Sequence, residues 1–419
     1  MNSIASPLNF TPSRIDLALR KALLDKLALL QNAELTIVDP LGEIVLGKKV
    51  EDGLSSRIQI SDLRFYRQTA LGGSIGAAES YMDLQWQADD LTKVVQILVR
   101  NRDLLDSMEG GLATIANQLL KVWHFANRNS QAGSKKNIAA HYDLGNDFFK
   151  LFLDQHGMYS SATFLHSEMS LEQASTAKLE RICQKLQLNK NDHVIEIGTG
   201  WGGFAVYAAK YYGCKITTTT ISKEQYQAAQ HRFELEGVAD QITLLREDYR
   251  DLQGKYDKLV SIEMIEAVGH QYLDTYSQQC AALLKPDGLG LIQAITIEDR
   301  HYRQALKSVD FIKRYIFPGS FIPCVSAIVA SMSCTDLRLI NLEDQGESYA
   351  ITLNAWRTRF MAGLEQVRAQ GYNEEFIRMW EFYLSYCEGG FKEKSISNVQ
   401  LLLAKPGNRR EQWLADNAA

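Results

Sequence analysis

The sequence predicts an α/β fold, in which a doubly wound, mostly parallel sheet follows a small N-terminal α+β domain. From residue 193 onward, short apolar segments rich in β-branched residues alternate with helical patterns. The first of these segments ends in a run of glycines. The N-terminal part instead combines an amphipathic helical pattern with two short strands around a Pro-Leu-Gly turn. These three observations define the predicted fold class.

Composition places the chain among ordinary globular proteins and excludes several function classes. Its 419 residues carry a formal net charge of -5, with 46% hydrophobic and 23% charged residues, close to the globular average. The six cysteines form no CxxC pair, so neither a disulfide framework nor a metal site is expected, and a reducing cytoplasm fits. No apolar run reaches the roughly 18 residues that span a bilayer. The acidic balance also disfavours a nucleic-acid partner. Taken together, these observations lead us to expect a cytoplasmic enzyme.

The N-terminal domain is predicted over residues 1–127. Residues 13–31 place apolar side chains at helical spacing, and ELTIVDPLGEIVLGK gives two strands around its turn. The segment RNSQAGSKK, residues 128–136, is polar, small and basic, which favours a solvated linker. A sharper alternative is contact with anionic lipid headgroups, worth about 1 kcal/mol for each basic residue near the surface.

The second domain is predicted over residues 128–419. Strands separated by crossover helices run parallel, and ligands of such sheets bind at the carboxyl ends of the strands. The segments predicted as strands are HVIEIGTG, CKITTTTIS, QITLLRED, YDKLVSIEMI and LGLIQAITI. Those predicted as helices are GGFAVYAAKYYG, KEQYQAAQHRFELEG and YLDTYSQQCAALLKPDG, the last with a Pro-Asp-Gly stop.

The first strand of this sheet runs into a glycine-rich loop over residues 198–203. Four glycines among six residues let the backbone turn sharply and approach a ligand closely. The spacing is not that of an NAD-binding loop, and no P-loop lysine follows. Glu196 completes an ExGxGxG pattern like that of methyltransferases, in which a carboxylate can meet the cationic methionine end of S-adenosylmethionine. A purely structural tight turn is the alternative.

Residues after the next two strands are candidates for the rest of this cofactor site. Asp248 and Tyr249 follow the third strand, where an acid can accept a hydrogen bond from the adenine amino group. The second strand ends in Thr220-Ile221-Ser222, where an acidic ribose partner is common. Gln225 could serve there instead, together with the hydroxyls.

Ten segments between residues 73 and 391 are more specific than the glycine loop. On them the sequence resembles the family of cyclopropane fatty acid synthases and mycolic acid cyclopropane synthases. The segments are GSIGAAESYMDLQWQADDL, HYDLGNDFFKLFLD, MYSSATF, VIEIGTGWGG, TISKEQ, REDYRDL, EMIEAVG, DFIKRYIFPGSFIP, YAITLNAW and YLSYCEGGF.

The resemblance implies a seven-stranded methyltransferase-like sheet with inserted helices that form an acyl pocket. The donor is then S-adenosylmethionine, and the acceptor is the double bond of an unsaturated phospholipid in a membrane that the enzyme contacts peripherally and transiently. Methyl transfer leaves a carbocation, which aromatic rings of HYDLGNDFF, MYSSATF and FIKRYIF can stabilise, although any single ring is more often core. Ring closure needs a base, which in the family is a bound bicarbonate. A homodimer is also expected.

Matching residue by residue assigns roles in this site. Glu266 falls on the carboxylate, and Tyr349 on the tyrosine, that hold the bicarbonate. Tyr159 and Ser160 fall on a pair that contacts the cofactor. Cys387 falls on a cysteine proposed as catalytic, although a buried, inert thiol is the commoner case. The cofactor loop is matched by Gly198, Gly200, Trp201 and Gly202, and the ribose side by Thr220, Ile221, Ser222 and Gln225.

Two positions depart from the family pattern. The histidine expected on the strand after LKPDG is Gln293, and the cysteine usual in the MYSxA segment is Ser161. Because a glutamine donates a hydrogen bond to an anion but carries no charge, a bicarbonate site would be weakened. Alternatively, the enzyme methylates without closing the ring and gives methyl- or methylene-branched chains, or Gln293 only satisfies backbone groups. A small-molecule N-methyltransferase on the same scaffold is a further alternative.

Overall fold

The computed structural model describes residues 13–49, 51–106 and 144–410. The chain divides into two compact units, residues 1–120 with 372–393 and residues 121–371 with 394–419. The predicted boundary at residue 127 and the basic segment 128–136 lie outside the described residues. The return of residues 372–393 to the first unit is not foreseen by the sequence pattern, because a helical pattern does not say which core the helix packs against.

The first unit combines a small mixed sheet with helices. The predicted hairpin is confirmed, since β1 (Glu34–Asp39) pairs antiparallel with β2 (Gly42–Gly47). The sheet has the order β2-β1-β3-β4, with β3 at Ser55–Ile60 and β4 at Trp86–Ala88. The predicted first helix is confirmed as α1. The helices, numbered along the whole chain, are α1 (Arg14–Leu27), α2 (Arg64–Met82), α3 (Leu91–Arg100), α4 (Arg102–Asp106) and α14 (Glu374–Lys392).

Helix α14 joins the first unit through close packing and charged hydrogen bonds to α3. Gln96 Nε2 and Arg100 Nε each donate to the carboxylate of Glu393 at 2.7 Å. Gly389 lies at a close approach of the two helices, because a Cβ atom built on it would be 2.6 Å from Val95 Cγ1. The small residue therefore allows α14 to reach its partner.

The second unit contains the predicted doubly wound sheet, with seven strands in the order β10-β11-β9-β8-β5-β6-β7. The strands β5 to β9 run parallel to one another, whereas β11 is antiparallel to both β9 and β10. The α/β, mostly parallel architecture is therefore confirmed. The strands are β5 (His193–Ile197), β6 (Lys215–Thr219), β7 (Ile242–Leu245), β8 (Tyr256–Ile262), β9 (Leu284–Ile297), β10 (Arg338–Asp344) and β11 (Ile396–Ala404).

Helices connect these strands largely as predicted. One prediction was too long: the helix expected to run to the Pro-Asp-Gly stop ends at Leu283, and residues 284–288 begin β9, since a proline cannot continue a helix. No helix in the described ranges is long and apolar enough to cross a membrane. The helices are α5 (Asn146–Lys150), α6 (Leu171–Leu186), α7 (Gly203–Tyr212), α8 (Lys223–Leu235), α9 (Leu273–Leu283), α10 (Asp299–Ala305), α11 (Val325–Ser331), α12 (Gly346–Ala362) and α13 (Leu364–Ala369).

The strand order fixes where a ligand can enter. From β5 the chain passes through β6 to β7 and then returns to β8 on the other side of β5. The direction of winding therefore reverses between β5 and β8. In open α/β sheets, ligands bind outside the carboxyl ends of the strands at such a reversal. The glycine loop follows β5 and the EMIEAVG segment follows β8, so both lie at this point.

The close packing of α14 leads to a testable prediction. Gly389→Ala should lower the free energy of unfolding by about 1–3 kcal/mol, because the added methyl group overlaps Val95. Helix propensity alone would favour the alanine by about 1 kcal/mol. Gly72→Ala in α2 is the matched control, since a Cβ atom there meets no described atom within 4 Å. Urea unfolding of both variants measures the difference, and equal stability of the two would contradict the prediction.

Candidate functional site

The glycine loop is shaped for close approach of a ligand at the carboxyl end of β5. Gly198 N–H donates to Thr219 O at 3.1 Å, which ties the loop to β6. Gly202 has φ of 81°, and a Cβ atom on it would lie 2.5 Å from the ring of Phe233. Only glycine fits that position. A Cβ atom on Gly200 would meet no described atom within 4 Å, so the backbone there borders open space.

Glu196 is held by the register between β5 and β6. It lies opposite Thr218, whose hydroxyl donates to Glu196 Oε2 at 2.6 Å. Thr218 also shares a 2.7 Å hydrogen bond with Thr199 of the loop. Burial of Glu196 raises its pKa from 4.5 to about 8, although the Thr218 hydrogen bond opposes the rise. A positive charge bound beside this side chain would favour its ionised form.

The predicted ribose-side residues connect β6 to α8. Thr220 Oγ1 donates to Gln225 Oε1 at 2.9 Å. Ser222 Oγ accepts from Gln225 N–H at 3.2 Å and caps the N-terminus of α8. Ile221 adds no polar side chain. Part of the hydrogen-bonding capacity of this segment is thus used internally, and its contact with a ribose stays a prediction.

Asp248 and Tyr249 follow β7 but have different surroundings. Arg250 donates to both carboxylate oxygens of Asp248, at 2.7 and 2.8 Å. Asp248 Oδ1 also accepts from Arg250 N–H at 3.1 Å, so Arg250 fixes the position of this carboxylate. Tyr249 is buried in the core, with its ring centroid 5.6 Å from that of Tyr276. The predicted contacts of both residues with a cofactor stay predictions.

Glu263, a carboxylate that the sequence analysis does not single out, is the centre of the polar network after β8. Its Oε1 accepts from Ser161 N–H at 2.9 Å, Gln293 Nε2 at 2.9 Å and Asn398 Nδ2 at 2.7 Å. Its Oε2 accepts from the Tyr349 hydroxyl at 2.8 Å. The predicted residues Gln293 and Tyr349 are therefore brought together around Glu263. Burial raises the pKa of Glu263, and its hydrogen-bond donors oppose that rise.

The backbone of Glu263 is itself unusual. Its φ of 49° lies in the left-handed region, which costs a residue with a side chain roughly 1–2 kcal/mol. Its N–H donates to Gln293 O at 2.8 Å, which fixes the turn to β9. Such a conformation persists where the surroundings determine it strongly, and this is common at functional sites.

Glu266, the predicted bicarbonate-binding carboxylate, lies in the 3-10 turn Ile265–Ala267 close to this network. Its Oε1 accepts from Ile295 N–H at 2.5 Å. Its Oε2 is buried, and no donor among the described residues reaches it. Burial, and then the nearby Glu263 carboxylate, raise the pKa of Glu266 to about 8. Among the described residues four donors reach Glu263 and one reaches Glu266, so hydrogen bonding favours the ionised form of Glu263 over that of Glu266.

Lys178 is a second residue that sequence reasoning missed. It lies on α6, is completely buried, and donates to Ser160 Oγ at 2.7 Å. Burial lowers its pKa to about 8, while Asp154 and Glu263 act in the opposite direction. Ser160, a predicted cofactor contact, is therefore oriented by a buried amine.

Of the functional residues that were not predicted, one could have been identified from the sequence. Glu263 directly follows a predicted strand, at the edge of the sheet where the glycine loop also lies, and acidic residues at this edge are candidates for ligand contacts. Lys178 and Asn398 could not have been identified in this way, since they occur within an ordinary helix and an apolar strand.

Cys387, the cysteine matched to a proposed catalytic residue, lies on α14 in the first unit and is half-buried. Its catalytic role stays a prediction.

Aromatic side chains form a continuous series from the glycine loop to Glu263. Tyr159 and Phe317, which come from two of the predicted aromatic segments, are half-buried and have ring centroids 6.3 Å apart. The series, with centroid distances between successive rings, is Trp201 to Phe149 (5.0 Å), Phe149 to Tyr159 (5.2 Å), Tyr159 to Trp356 (5.4 Å) and Trp356 to Tyr349 (6.1 Å). The last ring carries the hydroxyl bound to Glu263.

Comparison with known proteins reveals relatives that cover most of the chain. Tuberculostearic acid methyltransferase of Mycobacterium tuberculosis is 35% identical over 350 residues, 81% of each chain. Cyclopropane-fatty-acyl-phospholipid synthase of Escherichia coli is 34% identical and aligns with 86% of this chain and 90% of its own.

Solved structures agree with these relatives. A cyclopropane synthase from Mycobacterium tuberculosis has a TM-score of 0.61 at 28% identity and covers 65% of this chain and 98% of its own. A mycolic acid cyclopropane synthase complexed with SAH and CTAB gives the same values. The family model of mycolic acid cyclopropane synthetase matches residues 129–401. The family predicted from the sequence is confirmed: this chain belongs to the mycolic acid cyclopropane synthetase family and is a methyltransferase enzyme of that family.

Proposed function

We propose that this protein transfers the methyl group of S-adenosylmethionine to a carbon–carbon double bond in the acyl chain of a lipid. The observation that carries the proposal is the aromatic series between the glycine loop and Glu263. An alkene that accepts a methyl group becomes a carbocation, which aromatic faces attract and a carboxylate can deprotonate. An amine acceptor would need neither, because its lone pair attacks directly.

The residues at the carboxyl end of β5 fit S-adenosylmethionine. Glu196 would face its cationic methionine end, and Gly200 borders open space beside it. Asp248, held in place by Arg250, would meet the adenine amino group, and Thr220 to Gln225 would lie on the ribose side. When bound, S-adenosylmethionine supplies an electrophilic methyl group on a sulfonium. The structural relative complexed with SAH supports this assignment.

The acceptor we propose is an unsaturated phospholipid in a membrane that the enzyme contacts peripherally and transiently. The Escherichia coli relative, named as a cyclopropane-fatty-acyl-phospholipid synthase, supports the lipid class. The product is either a cyclopropane or a methyl- or methylene-branched chain, since the two curated relatives differ in this respect at nearly equal identity. A homodimer and a cytoplasmic location stay predictions.

Lipid analysis tests the proposed function. The purified enzyme, incubated with S-adenosylmethionine and vesicles of mono-unsaturated phospholipid, should add one CH2 unit to the acyl chains. Mass spectrometry of the extracted lipid measures the gain, and proton NMR separates cyclopropane from branched products. Vesicles of saturated phospholipid are the control. Folded enzyme that adds no mass to unsaturated chains would contradict the proposal.

The half-buried ring of Phe317 should contribute to catalysis rather than to cofactor binding. A desolvated cation–π contact is worth about 2 kcal/mol, so Phe317→Leu should lower kcat by about tenfold or more. Affinity for SAH, measured by calorimetry, should stay unchanged. Phe360→Leu is the control, because that fully buried ring packs against Phe148 and Phe152, which are not part of the series, and its loss should reduce stability instead. Equal effects of both changes on kcat would contradict the role.

The raised pKa of Glu196 predicts that cofactor binding releases a proton. Glu196, with a pKa of about 8 in the free protein, is mostly protonated at pH 7 and should ionise beside a cationic ligand. Affinity should therefore increase as pH rises from 6 to about 8. Calorimetry in buffers of different ionisation enthalpy should detect release of up to one proton at pH 7. Glu196→Gln should abolish the proton release, which distinguishes ionisation of Glu196 from titration of the ligand's own amino group. If the variant releases the same number of protons, Glu196 is not the group that ionises.

A further inference from the structure

Two of the three side chains expected to hold a bicarbonate ion already hold a carboxylate of the chain itself. Tyr349 and Gln293 both donate to Glu263, and Ser161 N–H donates to the same group. A carboxylate and a bicarbonate present the same planar pair of oxygens to such donors. A bicarbonate among these donors would overlap Glu263, so the residues present do not fit the ion.

We propose that the Glu263 carboxylate takes the place of a diffusible anion as the catalytic base that removes a proton from the methylated acyl chain. This inference rests on the proposed function of methyl transfer to an alkene. It assigns Glu263 a chemical role and gives Tyr349, Gln293 and Asn398 the role of positioning residues.

The step balances in atoms and electrons. The π electrons of the alkene form the bond to the methyl carbon while the S–CH3 bond breaks, which leaves a positive charge on the neighbouring chain carbon. Glu263 then accepts a proton. The electron pair of that C–H bond closes a cyclopropane if the proton leaves the new methyl group, or forms a double bond if it leaves the chain. The resulting carboxylic acid returns its proton to water before the next turnover.

The hydrogen bonds of Glu263 leave one basic position free. Its Oε1 accepts three hydrogen bonds, so both of its lone-pair positions are occupied. Among the described residues, Oε2 accepts only from the Tyr349 hydroxyl. One lone pair of Oε2 is thus available for a proton. The donors also fix the carboxylate plane, so little reorganisation is needed when the proton is transferred.

The neighbouring Glu266 supports this assignment. Among the described residues one donor reaches Glu266 and four reach Glu263, and none of them reaches the buried Oε2 of Glu266. Two adjacent buried carboxyl groups do not both ionise readily. The four donors therefore favour the negative charge on Glu263 and the proton on Glu266, which is the arrangement in which Glu263 can accept a proton.

Glu263 is also correctly placed along the sheet. It follows β8 directly, on the other side of the reversal point from the glycine loop. The next residue, Met264, borders that loop, since its Cγ lies 3.4 Å from the position of a Cβ atom on Gly198. Through Tyr349 the carboxylate adjoins the aromatic series. The proton acceptor, the cation-stabilising rings and the cofactor loop thus form one continuous site.

The decisive experiment compares bicarbonate dependence with two variants of Glu263. Wild-type enzyme in carbonate-free buffer should methylate vesicles of mono-unsaturated phospholipid at the same rate as with added bicarbonate. Glu263→Gln, which keeps the shape but loses the basic oxygen pair, should lower kcat by about 100-fold or more. Glu263→Gly should be equally slow and partly restored by bicarbonate or formate, because it opens a space among the same donors. Glycine also suits the φ of 49° at this position.

Binding of bicarbonate can also be measured directly, without enzyme turnover. The carbon-13 NMR signal of labelled bicarbonate should broaden on addition of Glu263→Gly and not on addition of wild-type enzyme. Glu347→Gln, which changes a carboxylate whose side chain is 81% exposed, is the matched control and should match the wild type. Wild-type activity that requires bicarbonate, or an unchanged rate in Glu263→Gln, would overturn the inference. If the wild-type enzyme forms no methylated lipid, with or without bicarbonate, the proposed function itself is refuted.

Discussion

The burial of one carboxylate, Glu263, constrains the rest of the active site. Removing a charge from water is costly unless hydrogen bonds replace the lost hydration, so each of its four donors must be in place. These donors come from the segment before α6, from β9, from β11 and from α12. The network therefore fixes four parts of the second unit relative to the end of β8. The left-handed backbone conformation of Glu263 shows that the fold tolerates local strain to keep this carboxylate in position.

The charges of the site are arranged in sequence along one edge of the sheet. A carboxylate with a raised pKa lies at the glycine loop, aromatic rings follow, and a carboxylate held by four hydrogen bonds ends the series. Such an order suits a reaction in which positive charge begins on a sulfonium, moves to a carbon and leaves as a proton. Because the carboxylates of Glu196 and Glu263 are buried, their electrostatic contacts act at a lower effective dielectric constant than they would at the surface.

Identity over the whole chain is a poor guide to the product of this enzyme. Two curated relatives, one named as a methyltransferase and one as a cyclopropane synthase, are 35% and 34% identical to it. Both names are consistent with the same first step, the formation of a bond to a methyl carbon. The products differ in which proton leaves, so the residues around the proton acceptor are where a difference between branches of the family would be expressed. Ser161, Gln293 and Glu263 are three such positions in this chain.

The sequence alone determined the family, the parallel sheet, the glycine loop and the pairing of Gln293 with Tyr349 in one site. The sheet and the loop follow from local patterns, because alternating apolar segments and a glycine run dictate strands, crossovers and a tight turn. The family and the placement of Gln293 with Tyr349 follow from the resemblance to known enzymes. Tertiary structure alone placed Glu263 at the centre of that site, buried Lys178 beside Ser160, and joined residues 372–393 to the N-terminal unit. Those outcomes depend on contacts between residues far apart in the chain. Burial and hydrogen bonding of a charged group are properties of such contacts, which a local sequence pattern does not record.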